Sequence, residues 1–261
     1  MAVPPHQSLV SEEDHVLARD IAAQTGQLLL SLRESSALEG VEPEQLRREA
    51  DRRANDLIFE LLSSRLARGD RVLSEENPDD GSRIDSERVW IVDPLDGSRE
   101  FAELERTDWA VHVGLVINSQ PVVGAVALPA LGMVSHTGDP PRPALQEPSL
   151  HRILVSRSRP PQIAYWLRDR IGCDLVRMGS AGAKAMAVVR GDADAYIHAG
   201  GQFEWDSCAP VAVAPAAGLH ATRLDGTPLR YNQSDSFLPD LLICRPSVVD
   251  RILSAVEIYT R

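Results

Sequence analysis

The chain begins with two long stretches in which apolar residues recur at helical spacing. Ser11 and Asp14 have the form of a capping box, and the apolar positions behind them predict an amphipathic helix over about residues 12–33. Pro43 suits the first turn of a second helix, and Gly69 follows its end. The apolar stripe of this second helix consists of Leu46, Ala50, Ala54, Leu57, Ile58 and Leu61.

Short runs of apolar and β-branched residues follow, as is typical of strands. The predicted strands of the first half cover residues 71–74, 89–92, 109–117, 121–128 and 133–136, with a hairpin turn at Asn118 and Ser119. In the second half, strands and helices alternate, which predicts a layered α/β fold with crossover helices. The strands there are 153–156, 175–178, 193–198 and 241–244, and the helices are 161–171, 181–190, one from about Asp206, and a last one to Tyr259.

A proline-rich stretch without periodicity divides these two patterns. It covers residues 137–148 and is typical of a connection between two halves. We therefore predict a single domain over residues 1–261 with sub-domains at about 1–136 and 150–261 and a linker at 137–149.

Composition narrows the possible partners. A formal net charge of −11 and a pI near 5.1 argue against broad binding to nucleic acid or anionic lipid, which needs a basic surface. The three cysteines lack the spacing of a disulfide framework or a zinc site, so we expect a reducing cytoplasm. The first residues have neither a basic nor an apolar signal region, so we expect no membrane insertion or export.

Carboxylates follow two of the predicted strands. The strand 89–92 continues into the segment 93–98, with the sequence Asp-Pro-Leu-Asp-Gly-Ser, and the strand 71–74 continues into Glu75 and Glu76. The segment 93–98 alone is also typical of a strand-ending turn. The carboxyl ends of strands are, however, the usual place for a ligand in α/β sheets. Crowded carboxylates raise each other's pKa unless a cation neutralises them, and an all-oxygen ligand set favours Mg²⁺, with Mn²⁺ as the other choice.

Two further acids have two interpretations each. Asp51 is either a solvated helix charge or an acid at the edge of the apolar stripe, because it lies seven residues before Ile58 and thus about 20° from it. Asp206 is either a helix N-cap or a ligand that completes the cation site from the second half. His112 and His198 stand alone, for which a structural or surface role is more typical than binding Mg²⁺.

Together these segments resemble a known family. Glu75-Glu76, the segment 93–98, and Trp205-Asp206 with Ala209-Pro210 are similar to the ordered motifs of the inositol monophosphatase superfamily of metal-dependent phosphatases. The residues Arg99-Glu100-Phe101 resemble its 3′-phosphoadenosine-5′-phosphate phosphatase branch. The resemblance covers nearly the whole chain and implies an αβαβα sandwich, two or three Mg²⁺ ions, lithium sensitivity and a homodimer.

The resemblance also implies roles for individual residues. The metal ligands are Glu75, Asp93, the Leu95 carbonyl, Asp96 and Asp206. Asp51 and Ser98, with Glu75, activate the attacking water, although Ser98 stands where threonine is usual and Glu49-Ala50 replaces the usual lead-in to Asp51. The backbone N–H groups of Gly97 and Ser98 hold phosphate oxygens.

Substrate selection is predicted for the second half. Arg157, Ser180 and Lys184, the only lysine, follow strand ends there and resemble phosphate-binding segments of the nucleotide branch, and Asp206 faces the substrate as well as the metal. The alternative for these segments is an ordinary strand-to-helix turn. We predict an Mg²⁺-dependent phosphatase that converts 3′-phosphoadenosine 5′-phosphate to AMP. The alternatives are activity on inositol monophosphate or fructose 1,6-bisphosphate, and a silent nucleotide-binding regulator.

Overall fold

The computed structural model describes residues 9–142 and 150–260, which contain seven α-helices and ten strands. The helices are α1 (Glu12–Glu39), α2 (Pro43–Leu66), α3 (Ser98–Ala102), α4 (Gln162–Leu167), α5 (Ala181–Arg190), α6 (Glu204–Ala216) and α7 (Val249–Thr260). The strands are β1 (Arg71–Ser74), β2 (Arg88–Asp96), β3 (Ala110–Ile117), β4 (Gln120–Leu128), β5 (Met133–His136), β6 (Arg152–Ser156), β7 (Asp174–Met178), β8 (Ala195–Phe203), β9 (His220–Thr222) and β10 (Phe237–Cys244).

The strands form two sheets, one on each side of the predicted linker. The first sheet has the order β1-β2-β3-β4-β5, with β1 parallel to β2 and the other pairs antiparallel. The second has the order β7-β6-β8-β10-β9, in which β6 is parallel to both β7 and β8. The proposed division into sub-domains stays a prediction, and residues 143–149 of the linker lie outside the described part of the chain.

Helices cover both sheets and fill the space between them. The outer face of the first sheet packs on α1 and α2, and the outer face of the second packs on α4 and α7. Helices α5 and α6 lie between the sheets in a third apolar cluster. The layers therefore run helix, sheet, helix, sheet, helix, which confirms the predicted αβαβα sandwich. Among the described residues, no helix has the length and apolar character needed to span a membrane.

Several predicted boundaries were wrong. The strands predicted at 193–198 and 241–244 are longer, covering Ala195–Phe203 and Phe237–Cys244. Helix α1 continues past residue 33 to Glu39, where Gly40 ends it in the left-handed conformation with φ of 68°. The helix predicted at 161–171 is α4 followed by a π-helical turn at Arg168–Gly172. Strand β2 continues to Asp96, because Asp93 and Asp96 both pair with β3 across an irregularity that accommodates Pro94.

Two glycines bring α6 against the first sheet. A Cβ atom on Gly124 would lie 2.6 Å from the carbonyl oxygen of Ala209, and one on Gly114 would lie 2.8 Å from Cys208 Sγ. Only glycine allows this close approach. Since α6 carries Asp206 in its first turn, the contact sets how near that carboxylate comes to β2.

Candidate active site

Three carboxylates from the two halves meet in the cleft between the sheets. Asp93 and Asp96 lie at the irregularity in β2, and Asp206 lies in the first turn of α6, where one oxygen accepts a 2.7 Å hydrogen bond from the Phe203 N–H. Ligand atoms of the three acids all lie within 4.8 Å of one another. We call these residues the acidic triad. The structure thus brings Asp206 to the two strand acids, as the ligand interpretation of Asp206 requires.

Asp96 is held by residues of both halves. Its Oδ2 accepts hydrogen bonds from the Ser180 hydroxyl at 2.5 Å and from the Gly182 N–H at 2.7 Å. Nε2 of the buried His112 lies 3.2 Å from the same oxygen, an ion-pair contact without good hydrogen-bond alignment. Nδ1 of His112 lies 3.0 Å from the Trp205 carbonyl oxygen. Because both ring nitrogens face acceptors, the doubly protonated imidazolium fits this position best.

This environment sets the charge of Asp96 and His112. Burial favours a neutral Asp96, but His112, Lys184 and Ser180 outweigh it and lower the pKa of Asp96 to about 2. Burial also disfavours a charged His112, but the Asp96 carboxylate outweighs it and raises the pKa of the imidazole. Asp96 is therefore an anion before any cation binds.

Burial and mutual repulsion raise the pKa values of Asp93, Asp206 and Glu75. Burial, followed by the charges of Glu75, Asp96 and Asp206, raises the pKa of Asp93 well above its usual range. Burial and Asp96 raise the pKa of Asp206 to about 6. Glu75 follows β1, is exposed and is not a member of the acidic triad, but desolvation and the charge of Asp206 raise its pKa to about 7. A divalent cation would relieve this repulsion, and donors that are all carboxylate oxygens suit Mg²⁺ or Mn²⁺. The residues present therefore fit the implied metal.

Asp51 and Ser98 lie on different elements, α2 and α3. Burial and the charge of Glu76 raise the pKa of Asp51, on α2, to about 7, against the opposing effect of Arg47. Ser98 is the first residue of α3, which has only five residues, so a helix dipole contributes little there. No hydrogen bond joins Asp51 to Ser98 among the described contacts, and their joint role in activating water stays a prediction.

Leu95 lies near the end of β2 and Gly97 lies between β2 and α3, and their predicted roles in binding metal and phosphate stay predictions. Gly97 has φ of 88°, a conformation that favours glycine, and a Cβ atom there would make a tight contact of 3.2 Å with Ser180 Cβ. The N–H of Leu95 donates a 3.1 Å hydrogen bond to Asp93 Oδ1. This bond fixes one oxygen of Asp93 toward the turn that carries the Leu95 carbonyl.

The residues predicted to select substrate are already engaged within the protein. Arg157 forms a bidentate pair with Glu103, at 2.7 and 3.0 Å, and contacts Glu100 at 2.9 Å. Lys184 is buried, and its ammonium donates to the carbonyl oxygens of Gly179 and Ser180 at 3.0 and 2.5 Å. Burial lowers the pKa of Lys184 to about 8. Ser180 caps α5 while donating to Asp96.

Comparison with known proteins places this arrangement in a family. Residues 11–259 match the sequence model of the inositol monophosphatase family. The chain belongs to that family. The 3′-phosphoadenosine 5′-phosphate phosphatase of Mycobacterium leprae is 46% identical over 256 residues, which cover 94% of this chain and 93% of the relative. The protein of the same name from Mycobacterium tuberculosis is 49% identical over 239 residues, 88% of each chain.

Solved structures agree with this assignment. The structure of CysQ from Bacteroides thetaiotaomicron, described as a bacterial member of the inositol monophosphatase family, superposes with a TM-score of 0.74 at 27% identity. The match covers 91% of this chain and 98% of that one. The predicted family and fold class are therefore confirmed.

One residue of this inositol monophosphatase-family site was missed in the sequence. His112 was assigned a general structural or surface role, whereas the structure places it against Asp96. The signal lay in strand pairing: β3 runs antiparallel to β2, and His112 pairs directly with Asp93. His112 and Asp93 pair in the regular register of the two strands, and the irregularity after Asp93 then places Asp96 opposite Ala110.

The protein also has a large cavity that lies apart from the acidic triad. It has a volume of about 870 Å³ and lies on the outer side of the second sheet, between the start of α4 and the end of α7. Its lining includes Arg159 and His198 but no member of the acidic triad. The carboxylates and their partners, rather than cavity size, therefore identify the active site.

Proposed function

We propose that this protein is an Mg²⁺-dependent phosphatase that hydrolyses the 3′-phosphate of 3′-phosphoadenosine 5′-phosphate to give AMP and phosphate. The observation that carries the proposal is the acidic triad across the two halves, in a chain 46% to 49% identical to mycobacterial proteins named for this activity. The predicted class, a phosphoric monoester hydrolase, is confirmed by the family and by these relatives.

The ligands of the proposed Mg²⁺ ions are Glu75, Asp93, the Leu95 carbonyl, Asp96 and Asp206. When bound, the ions supply charge neutralisation for the phosphate and activation of the attacking water. Asp51 is suited to accept a proton from that water, because its pKa of about 7 leaves both protonation states populated near neutral pH. Ser98 supplies a hydroxyl that orients the water, and its N–H and that of Gly97 hold phosphate oxygens.

The hydrogen bonds of Ser180, Lys184 and Arg157 distinguish residues that support the site from a residue that could bind substrate. Ser180 and Lys184 support the site indirectly, because the serine hydroxyl holds Asp96 and the ammonium holds the turn that carries Ser180. Arg157 remains the candidate residue for binding the second phosphate. Its guanidinium now pairs with the carboxylates of Glu100 and Glu103, and a phosphate could form the same type of ion pair.

Further predictions follow from the family and stay open to test. The three cysteines Cys173, Cys208 and Cys244 are free and buried, which suits the proposed reducing cytoplasm. Homodimer formation and lithium sensitivity are proposed by family resemblance alone. Activity on inositol monophosphate and fructose 1,6-bisphosphate is proposed as a side activity, because the acidic site addresses any phosphate monoester.

A panel of phosphate monoesters tests the proposal. Phosphate release is measured with 3′-phosphoadenosine 5′-phosphate, inositol 1-phosphate and fructose 1,6-bisphosphate, with Mg²⁺ and with EDTA, and the nucleotide product is identified. We expect AMP, dependence on Mg²⁺ and the highest kcat/KM for the nucleotide. Asp93→Asn is the control for contaminating phosphatase. Binding of the nucleotide without any phosphate release would instead favour the silent regulator.

A further inference from the structure

We propose that Arg83 is a positioning residue that fixes the loop carrying Glu75 to the start of α6 and thereby sets the affinity of the site for its cation. The inference rests on the proposed function in one respect, that the acidic site binds a divalent metal. It concerns a residue outside the acidic triad for which the sequence predicted no role.

Arg83 is buried within a segment that is otherwise mostly exposed. Its residue is 1% exposed, whereas Glu75 and the residues that follow it up to position 82 are exposed. Its guanidinium donates to Asp79 Oδ2 at 2.8 and 3.1 Å, within the same loop. Across the cleft it donates to Asn232 Oδ1 at 2.7 Å and to the Gln233 carbonyl oxygen at 3.0 Å. One side chain therefore joins a loop of the first half to a loop of the second.

The contact is reciprocal and continues to α6. Asn232 Nδ2 donates back to the Arg83 carbonyl oxygen at 3.1 Å. The backbone N–H groups of Asn232 and Gln233 donate to the two carboxylate oxygens of Glu204 at 2.7 and 2.8 Å. Glu204 is completely buried and is the first residue of α6. A continuous chain of hydrogen bonds thus runs from Arg83 through Asn232 to Glu204.

The two ends of this chain lie next to acids on opposite sides of the site. Glu204 is two residues before Asp206, and the loop that holds Arg83 begins at Glu75. Glu75 and Asp206 repel each other, since each carboxylate would be an anion in water at neutral pH and the charge of Asp206 is the largest electrostatic effect on Glu75. A link between the loop and the helix opposes the separation that this repulsion favours.

The charge and shape of Arg83 both suit this role. The planar guanidinium donates hydrogen bonds to Asp79, Asn232 and Gln233 at the same time. A lysine ammonium at this position would not reproduce that arrangement of donors. Groups that orient metal ligands without touching the metal change metal affinity when they are removed, by roughly 10- to 100-fold. Arg83 has a more remote form of this relation, because its described hydrogen bonds go to Asp79, Asn232 and Gln233 and so hold the loop and the helix that carry Glu75 and Asp206.

The test measures Mn²⁺ binding to the free protein by titration calorimetry, with no substrate present. Two variants remove the link, Arg83→Met and the milder Asn232→Gly, which preserves the left-handed backbone at φ of 57°. The matched control is Arg88→Met, because Arg88 also pairs with two carboxylates, Asp14 and Asp70, but only within the first half. Thermal unfolding in EDTA is recorded for every variant, so that loss of stability is compared with loss of affinity.

We expect Arg83→Met and Asn232→Gly to weaken Mn²⁺ binding by roughly tenfold or more, with Arg83→Lys intermediate. Arg88→Met is expected to lower the unfolding temperature while its Mn²⁺ affinity stays within about twofold of wild type, since its described partners Leu9, Asp14 and Asp70 include no proposed metal ligand. Unchanged affinity in both link variants overturns the inference, and so does an equal loss in Arg88→Met. Wild-type protein that binds Mn²⁺ but releases no phosphate overturns the proposed function and leaves this inference standing. Wild-type protein that binds no Mn²⁺ overturns both.

Discussion

The Ser180 hydroxyl donates a 2.5 Å hydrogen bond to Asp96 Oδ2, although the serine lies at the start of α5 and the aspartate at the end of β2. Ser180 has φ of 43°, which is uncommon for a residue with a Cβ atom. The hydroxyl accepts from the Ala183 N–H at 2.9 Å at the same time, so it is oriented by its own helix. A residue of the second half of the chain therefore orients Asp96, a proposed metal ligand from the first half.

We predict that loss of this hydroxyl lowers activity without preventing folding. Ser180→Ala keeps the Cβ atom, whereas Ser180→Gly also relieves the left-handed backbone, so an effect common to both belongs to the hydroxyl. We expect kcat/KM to fall by roughly 10- to 100-fold, as for a lost hydrogen bond to a charged group, and the Mg²⁺ concentration for half-maximal activity to rise. Ser158→Ala, in the exposed turn after β6, is the control. Normal Mg²⁺ dependence in Ser180→Gly would contradict the assigned role.

Isosteric substitutions of Asp93 and Asp96 should change the stability of the metal-free protein in opposite directions. Asp93→Asn removes an acid whose ionisation is opposed by burial and by Glu75 and the other acids, so we expect an unchanged or higher free energy of unfolding. Asp96→Asn removes the counter-charge of the buried His112, and we expect a loss of ~3 kcal/mol. Urea unfolding in EDTA at pH 7.5 measures both. Each variant should lack nearly all turnover, and a stabilising Asp96→Asn would refute the ion pair.

The stability of the metal-free protein should depend on pH in a direction set by the raised pKa values. Glu75 and Asp51 have pKa values of about 7 in the folded state, above the 4.5 and 3.8 of free groups. Between these values the folded protein binds more protons than the unfolded chain, so these acids make stability fall as the pH rises from about 4 to 7. The low pKa of Asp96 acts in the opposite direction, but only below about pH 4.

Thermal unfolding in EDTA from pH 5 to pH 8 measures this dependence. Histidines with lowered pKa values, such as His136, act oppositely near pH 6.5, so each variant is compared with wild type. The decrease with rising pH should be smaller in Glu75→Gln and Asp51→Asn, and Mg²⁺ should remove most of it in wild type. Identical pH profiles for wild type and both variants would show that these carboxyl groups have ordinary pKa values.

The sequence identified most of the fold because its signals were local. Short-range patterns along the chain predict the apolar stripes of α1 and α2 and the alternation of strands and helices in the second half. The acids at the ends of β1 and β2 are also visible from adjacent residues in the sequence. The convergence of Asp206 with Asp93 was also expected, but from the order of family motifs and not from physics. Geometry now supplies the physical reason, because glycines in β3 and β4 let α6 approach the sheet.

The contacts that the sequence did not reveal depend on how the halves pack. Lys184 was expected to hold a phosphate, yet its ammonium is buried against two carbonyl groups and lies 5.0 Å from the centre of the Tyr196 ring. Arg83 lies in a loop without hydrophobic periodicity, and its partner Asn232 is distant in sequence. Neither arrangement has a local pattern, because each is set by residues far apart in the chain.

Asp51 and Ser98 should act together if they orient and deprotonate the attacking water. Ser98→Ala is expected to lower kcat by on the order of 10²-fold, and Asp51→Asn by a similar factor. Because both changes remove parts of one unit, the double variant should be little worse than either single variant. The measurement is kcat at saturating Mg²⁺ for the three variants. Full activity of Ser98→Ala, or strictly multiplicative losses, would exclude a shared role.

Substrate selectivity should depend on Arg157 and on Glu103, whose carboxylate pairs with the Arg157 guanidinium. Glu103 is exposed and binds the guanidinium through both oxygens, the geometry that a phosphate also uses. A bisphosphate substrate must displace Glu103 to reach Arg157, whereas inositol monophosphate has no second phosphate to place there. Glu103→Gln should therefore raise kcat/KM for 3′-phosphoadenosine 5′-phosphate and leave the inositol ester unchanged.

Arg157→Ala and Lys184→Met separate selection of the substrate from support of the site. Arg157→Ala should lower kcat/KM for the nucleotide roughly tenfold or more, as for a lost charged hydrogen bond, with little effect on inositol monophosphate. Lys184→Met should lower kcat/KM for both substrates by similar factors, because its ammonium holds the Gly179–Ser180 turn on which Asp96 depends. The ratio of kcat/KM between the two substrates is the measurement. A ratio changed by Lys184→Met but not by Arg157→Ala would reverse the two assignments and make the buried lysine the residue that recognises the second phosphate.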